Sequence, residues 1–188
     1  MNAIKPRKAA HVTAYFAIRE GGTIDALKLA KLLYLAERAY LDAYELPLTG
    51  DRLVAMPHGP ALSETLNHVN ESPNPGWQAV VSERSGNTVS VVPGVTMESL
   101  KRLSPANIEV LEEVWQKYGH LNGLTLRNFT HDNCAEWSDP RGSSHEISYA
   151  DLFRALGKDD IEELIEDIQI AQGLQLAPAR SGNHRSRH

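Results

Sequence analysis

Residues 25–45, DALKLAKLLYLAERAYLDAYE, decide the fold, because they predict one helix of about six turns with no glycine or proline. Lys31, Arg38 and Asp42 form its one clean polar stripe. The apolar positions on the helical wheel are Leu29, Leu33, Ala36, Tyr40 and Ala43, flanked by Ala26, Leu32, Ala39 and Tyr44, with a second strip of Leu27, Tyr34 and Leu41. A helix that is apolar over more than half of its circumference lies among other elements. We therefore expect the rest of the chain to wrap around it.

Start and stop signals divide the remaining chain into shorter helices and a few strands. Helices are predicted over residues 6–20, 60–72, 105–119, 124–134, 149–157 and 161–172, a strand over 52–56, a turn over 57–60, and a hairpin of 78–81 with 88–92 that 52–56 could join. The predicted fold class is mainly α (α+β): a helical domain around a central buried helix, with a small antiparallel β-hairpin or three-stranded sheet. Residues 1–172 form a single domain, and 173–188 are predicted to be a disordered tail.

The composition is that of an ordinary globular domain, with 41% hydrophobic and 23% charged residues among 188. The net charge of −5 argues against non-specific nucleic-acid binding, which needs a basic face, and is compatible with a basic protein partner. A single cysteine, Cys134, excludes an internal disulfide and fits a reducing cytosol. No apolar run reaches membrane-spanning length, so we expect a cytoplasmic protein with no membrane contact.

Three short motifs occur in a characteristic order along residues 25–157. The first is Lys28, Leu29, Lys31, Leu32, Leu33 and Tyr34; the second is Met56 followed by His58, Gly59 and Pro60; the third is Leu124, Leu126, His131, Trp137 and Ile147. Together they resemble the Panacea domain of SocA-like antitoxins in bacterial and phage toxin–antitoxin systems. Two positions depart from the family pattern, since Ala30 replaces a polar residue and His58 replaces an aromatic one.

The resemblance implies an antitoxin that neutralises the toxin of an adjacent gene by direct protein–protein binding. Such a protein needs no cofactor and is not an enzyme, and a homo-oligomer remains open. The alternative is a regulatory or phage-derived protein that binds nucleic acid and has no toxin partner; it would retard operator DNA in a salt-dependent way. The acidic balance and the lack of a basic recognition helix speak against that alternative.

The reactive side chains in and beside the third motif allow two interpretations. His131 and Cys134 lie on one helical face and could pair an imidazole with a thiol nucleophile, but no oxyanion site or orienting group accompanies them. The interpretation we favour is that His131 and Trp137 hydrogen-bond and pack a loop onto the core. A metal site could draw on His120, His131, Asp132, His145 and Glu146, yet these residues lack the short fixed spacings of metal ligands.

Acidic side chains are the remaining candidates for contact with a partner. Glu37 falls among apolar positions of the central helix, so we favour a position at a groove or rim over an ionic contact. Glu109, Glu113, Glu163 and Glu166 belong to acidic helix faces that would otherwise be simple solvated surface. Beside a basic toxin, these faces would steer association.

Overall fold

The computed structural model describes residues 5–71 and 75–176. Its elements in chain order are α1 (Pro6–Arg19), β1 (Thr23–Asp25), α2 (Ala26–Tyr44), β2 (Leu53–Met56), β3 (Gly59–Leu62), α3 (Ser63–Asn70), α4 (Pro75–Gln78), β4 (Thr88–Ser90), α5 (Pro105–Tyr118), α6 (Gly123–Asn133), β5 (His145–Glu146), α7 (Tyr149–Ala155) and α8 (Ile161–Leu176). This architecture confirms the predicted class, mainly α with small antiparallel sheets.

Helix α2 is the centre of the molecule, as predicted. It begins after Asp25, whose carboxylate accepts a hydrogen bond from the Lys28 amide at 2.9 Å, and ends at Glu45 in a left-handed conformation. Eleven of its nineteen residues are buried, so the helix is enclosed and not laid on a surface. It packs against α1, α5, α6, α7, β1 and β3.

The predicted polar stripe of this helix is wrong at one position. Asp42 is exposed and Arg38 partly so, but Lys31 is only 2% exposed. At the other end, Ala43 and Tyr44 were expected on the apolar face and lie in solvent. The reason is that the last turn of α2 extends beyond the elements that cover its middle.

Substitution of Leu33 tests whether the middle of α2 is tightly packed, as the burial of this side chain indicates. Replacing Leu33 with alanine is expected to lower the free energy of unfolding by about 2–5 kcal/mol, because the surrounding elements cannot close the space. Urea unfolding measures the loss. Leu124→Ala is the matched control, since that leucine is exposed on α6 and its removal should change stability by less than about 0.5 kcal/mol. Equal losses in the two variants would contradict a buried centre.

The strand pairing differs from the predicted hairpin of residues 78–81 with 88–92. β4 pairs antiparallel with β1, and residues 78–81 form no strand beyond a single bridge from Val81 to Val91. The strand predicted at 52–56 belongs to a separate sheet with order β3-β2-β5. Pairing between segments about 65 residues apart leaves no local signal, which is why the short-range hairpin was preferred.

The segment after the Pro57–His58 turn was predicted as a helix from residue 60 and begins instead as a strand. Gly59 and Pro60 pair with β2, and α3 starts only at Ser63. The start is fixed by Asp51, whose carboxylate accepts hydrogen bonds from the amides of Glu64 at 3.0 Å and Thr65 at 2.7 Å. A cap from outside the helix therefore set the boundary.

The later helices follow their predicted start signals closely. Ser104 and Ser148 accept hydrogen bonds from the third residue beyond them and cap α5 and α7. α8 continues to Leu176, four residues past the predicted domain boundary, and buries Ile168 while its glutamates stay in solvent. The rest of the predicted tail, residues 177–188, lies outside the described residues.

Candidate functional site

The three motifs, far apart in sequence, meet at one place in the structure. We call this cluster the motif junction; it consists of Lys31 and Tyr34 from α2, Gly59 and Pro60 from β3, His131 from α6, and Trp137 from the loop after α6. The first motif also supplies Leu32 and Leu33 to the core, whereas His58 is exposed in the turn before β3. Lys28 lies apart, bound to Glu20 at 2.6 Å and to the Gly119 carbonyl at 2.7 Å.

Lys31 joins the central helix to the second motif. Its ammonium donates a hydrogen bond to the Pro60 carbonyl at 2.8 Å. Burial lowers the pKa of this amine to about 8, because a low-dielectric site disfavours the charged form. This side chain therefore acts as a buried clamp between α2 and β3 and is not a surface charge.

At Gly59, β3 approaches both α2 and α6 closely. Its backbone has φ of +97°, and a Cβ atom there would lie 2.9 Å from Thr130 Oγ1 and 3.0 Å from Lys31 Nζ. The same atom would be 3.1 Å from His131 Cδ2. Only glycine satisfies both the backbone conformation and the close approach.

His131 and Trp137 fix the loop after α6 onto the sheet. Their rings stack with centroids 4.0 Å apart and an interplanar angle of 8°. The Trp137 indole N–H donates to the Met56 carbonyl at 3.1 Å. This is the packing arrangement that the sequence favoured, although the hydrogen bond comes from the indole alone and Nε2 of His131 is buried without a partner. Burial lowers the pKa of His131.

Glu136 completes the junction and was missed from the sequence. Its side chain is 0% exposed and accepts hydrogen bonds from Tyr34 Oη and Arg38 Nε, each at 2.8 Å. Burial opposes the charge on Arg38, but the bond to Glu136 outweighs it and raises the arginine pKa. The available signal was on α2, where Tyr34 and Arg38 are one turn apart and both need an acceptor.

Cys134 does not have the character of a nucleophile. Burial raises the pKa of its thiol to about 12, and the nearby charge of Glu136 adds to the effect. The reactive species of a cysteine is the thiolate, and reactive cysteines have lowered pKa values. The geometry therefore favours the packing interpretation of this segment over a His–Cys catalytic pair.

This environment predicts slow alkylation of the folded protein. At about pH 8, a pKa raised by about three units lowers the thiolate population about a thousandfold relative to an ordinary cysteine. Iodoacetamide labelling followed by mass spectrometry should be slow in buffer and normal in urea. Rapid labelling of the folded chain would show that Cys134 is accessible and would reopen the catalytic interpretation.

Glu37 lies in neither of the positions considered for it. It is 0% exposed, and its Oε2 accepts hydrogen bonds from the Thr49 amide at 3.0 Å and the Thr49 hydroxyl at 2.6 Å. Burial raises the pKa of this carboxyl. The residue therefore ties α2 to the turn at Thr49 and has no surface to offer a partner, which corrects its assignment as a toxin contact.

The other acidic candidates lie at the surface. Glu109 and Glu113 are exposed on α5, and Glu163 and Glu166 on α8. The histidines and acids considered for a metal remain dispersed: within residues 5–71 and 75–176, no three His, Cys, Asp or Glu side chains gather in a way that could hold an ion. In the same ranges, no helix is both long and apolar enough to cross a bilayer.

Comparison with known proteins confirms the family suggested by the motifs. The family model described as antitoxin SocA-like, Panacea domain, matches residues 29–138, which is more than half of the chain. The matched span contains every residue of the motif junction. No curated protein and no solved structure matches the chain. With the residues of the motif junction inside the match and in contact in the fold, this chain belongs to the SocA-like antitoxin family and carries its Panacea domain.

Proposed function

We propose that this protein is an antitoxin that neutralises the product of an adjacent gene by direct protein–protein binding. The family match carries the proposal, since membership in an antitoxin family indicates a role in a toxin–antitoxin system. The family is described by its antitoxins and not by a reaction, and the buried Cys134, whose pKa burial raises, agrees with a protein that acts by contact. The toxin and the surface that holds it are part of the proposal.

The motif junction is a support for the binding surface and not the surface itself. Lys31, Tyr34 and Glu136 are buried and engaged with one another or with the backbone. A partner could reach them only by separating β3 and the loop after α6 from α2. Contact with a folded toxin therefore falls to the exterior of the domain.

Two exposed helix faces combine acidic charge with an apolar side chain. On α8, Glu163 and Glu166 share a face with the exposed Ile170. On α5, the exposed Ile108 adjoins Glu109. Apolar anchors within a charged rim are typical of protein interfaces, and a rim of one sign steers a partner of the opposite sign. We propose that a toxin with a basic surface binds these faces.

Growth rescue tests the proposal directly. The adjacent gene is placed under tight induction, and growth is scored with and without this protein. The expected result is that the neighbour arrests growth, that this protein restores it, and that the two proteins co-purify. If the product of the adjacent gene is harmless, or if it arrests growth even when this protein is present, it is not the proposed toxin partner.

Charge reversal tells whether toxin binding depends on the α8 glutamates themselves or only on the net charge of the protein. Glu163→Lys with Glu166→Lys should weaken co-purification and rescue by at least about tenfold, because like charges would then face the partner. Glu83→Lys with Asp132→Lys is the matched control, since both residues are exposed and the net charge changes equally. If the control pair fails as badly, the α8 face is not the contact surface, although the antitoxin function could still stand.

A further inference from the structure

A cleft opens at the start of α2, between the turn that joins α5 to α6 and the loop before β4. Its volume is about 650 Å³. We call it the α2 cleft; its lining includes Leu27, Leu121 and Leu124 together with Asp25 and Arg84. None of these residues belongs to the motif junction or to the acidic faces of α5 and α8. The cleft is therefore a feature that the proposed function does not use.

Gly123 brings the start of α6 directly onto the start of α2. A Cβ atom on this residue would lie 2.8 Å from Asp25 Oδ1 and 2.9 Å from the backbone nitrogen of Lys28. Asp25 is held in place as the cap of α2, and the Lys28 ammonium donates a hydrogen bond to the Gly119 carbonyl at 2.7 Å. The two helix starts are thus in contact, and the wall that they form is fixed before any partner arrives.

Leu124 projects from this wall. Among the described large apolar side chains it is the most exposed, at 61%. A single exposed leucine is ordinary, but this one lines a cleft with two further leucines, Leu27 and Leu121, which are both partly buried. The arrangement offers an apolar side chain for insertion into a partner and, beside it, a space that accepts one.

Both signs of charge border this apolar centre. Asp25 and Arg84 are exposed. The Asp25 carboxylate accepts a hydrogen bond from the Lys28 amide, and the Arg84 guanidinium donates to the Gly86 carbonyl at 2.8 Å and to the Asn70 side chain. Within the described ranges, neither of the two charges has an ionic partner. The rim therefore presents one acid and one base, each held by uncharged groups of its own chain.

We propose that the α2 cleft is the contact surface of a symmetric dimer of this chain, as a property separate from toxin binding. In a two-fold pair the same patch meets itself, so each group must find its complement elsewhere on that patch. Leu124 of one copy would enter the partner's cleft, and Arg84 would face the partner's Asp25. A strongly basic or strongly acidic partner would be repelled by one of these two charges, whereas a second copy satisfies both.

Such a dimer would leave the acidic face of α8 free. Lys158, just before α8, donates hydrogen bonds to the Asp42 carbonyl at 2.6 Å and to Glu45 at 3.3 Å, so this helix begins at the far end of α2. The nineteen residues of α2 span about 28 Å. The dimer contact and the proposed toxin contact on α8 therefore lie at opposite ends of the central helix.

The test is sedimentation equilibrium of the full-length chain over a range of protein concentrations. A patch built around one cleft is small for a protein interface, so we expect a dimer Kd of roughly 1–100 μM and monomers at greater dilution. The mass should rise from 20.8 kDa toward twice that value and no further. Leu124→Asp should raise the Kd at least about tenfold, because a charge would have to enter the apolar centre. Arg84→Glu should raise it by a smaller factor that grows as salt is lowered.

Ile170→Asp is the matched control. Ile170 is 54% exposed on α8, so its replacement adds the same charge away from the cleft and should leave the Kd unchanged. Equal effects of the two aspartates would overturn the proposal, as would a chain that is still monomeric at about 500 μM. Masses beyond two chains would also overturn it, because they indicate a head-to-tail contact that does not close.

The Leu124→Asp variant is expected to fold. Leu124 is the second residue of α6, where an acidic side chain is favourable to the helix. Circular dichroism melts check this, and Leu124→Gln takes its place if the Tm falls. Leu124→Asp should still rescue growth, so failure of the dimer leaves the antitoxin proposal standing, and failure of rescue by the unaltered chain leaves the dimer standing.

Discussion

Alanine at Gly59 is expected to lower the free energy of unfolding by about 2–5 kcal/mol, the sum of a positive-φ strain and an overpacking cost. The backbone at this residue has φ of +97°, where a side chain is strained, and the added Cβ would lie 2.9 Å from Thr130 Oγ1. Lys31 and His131 are at similar distances, so no single neighbour can move to make room. Thermal denaturation should show a fall of about 10 °C in Tm for a chain of this size.

Gly94→Ala is the control that distinguishes the cost of backbone strain at a positive φ from the cost of packing the added Cβ against its neighbours. Gly94 has a similar φ of +85°, but a Cβ there would meet nothing within 4 Å. Its replacement should cost only the backbone strain, about 1 kcal/mol. Equal losses at Gly59 and Gly94 would mean that β3 does not approach α2 and α6 as closely as described.

Removing the guanidinium of Arg38 is expected to lower the free energy of unfolding by about 3 kcal/mol, because it leaves the buried carboxylate of Glu136 without its charged partner. Arg38→Met keeps most of the aliphatic stem and deletes the charge. Urea unfolding gives the change in free energy. Adding Glu136→Gln should recover part of the loss, since a neutral amide is less costly to bury than an unpaired charge.

The control for this pair is an arginine whose partner is in solvent. Arg154 binds Asp151 at 2.8 Å, with both side chains more than half exposed. Arg154→Met should therefore change stability by less than about 0.5 kcal/mol. If Arg38→Met lowers the free energy of unfolding as little as Arg154→Met, the two residues do not form the buried pair described. The same conclusion follows if Glu136→Gln, added to Arg38→Met, lowers the free energy of unfolding further by the full amount that it costs alone.

The parts of the fold that were predictable carry local signals. Asp25, Ser104 and Ser148 cap their helices through hydrogen bonds to residues three positions on, and such bonds are visible in a short stretch of sequence. The apolar pattern of α2 is equally local, and it correctly placed this helix at the centre. The motif order gave the family for the same reason, since each motif is contiguous.

The features that were not predictable depend on partners distant in sequence. Lys31 was read as a surface charge because its acceptor, the Pro60 carbonyl, belongs to a strand 29 residues away. Glu37 and Glu136 were misplaced or missed because a carboxylate in an apolar setting needs donors that only the fold supplies. These are the positions where tertiary hydrogen bonds override the helical wheel.

The unequal enclosure of α2 and α8 has a consequence for how the molecule opens. The first three turns of α2 are surrounded on most sides, so we expect their amide protons to exchange with solvent only when the whole domain unfolds. Among the side chains of α8 that the structure describes, only Ile168 is fully buried, and the helix packs mainly on α7, so we expect it to detach while the remainder stays folded. A toxin held on the acidic face of α8 would therefore protect this helix from opening, and part of the binding free energy would be spent on that ordering.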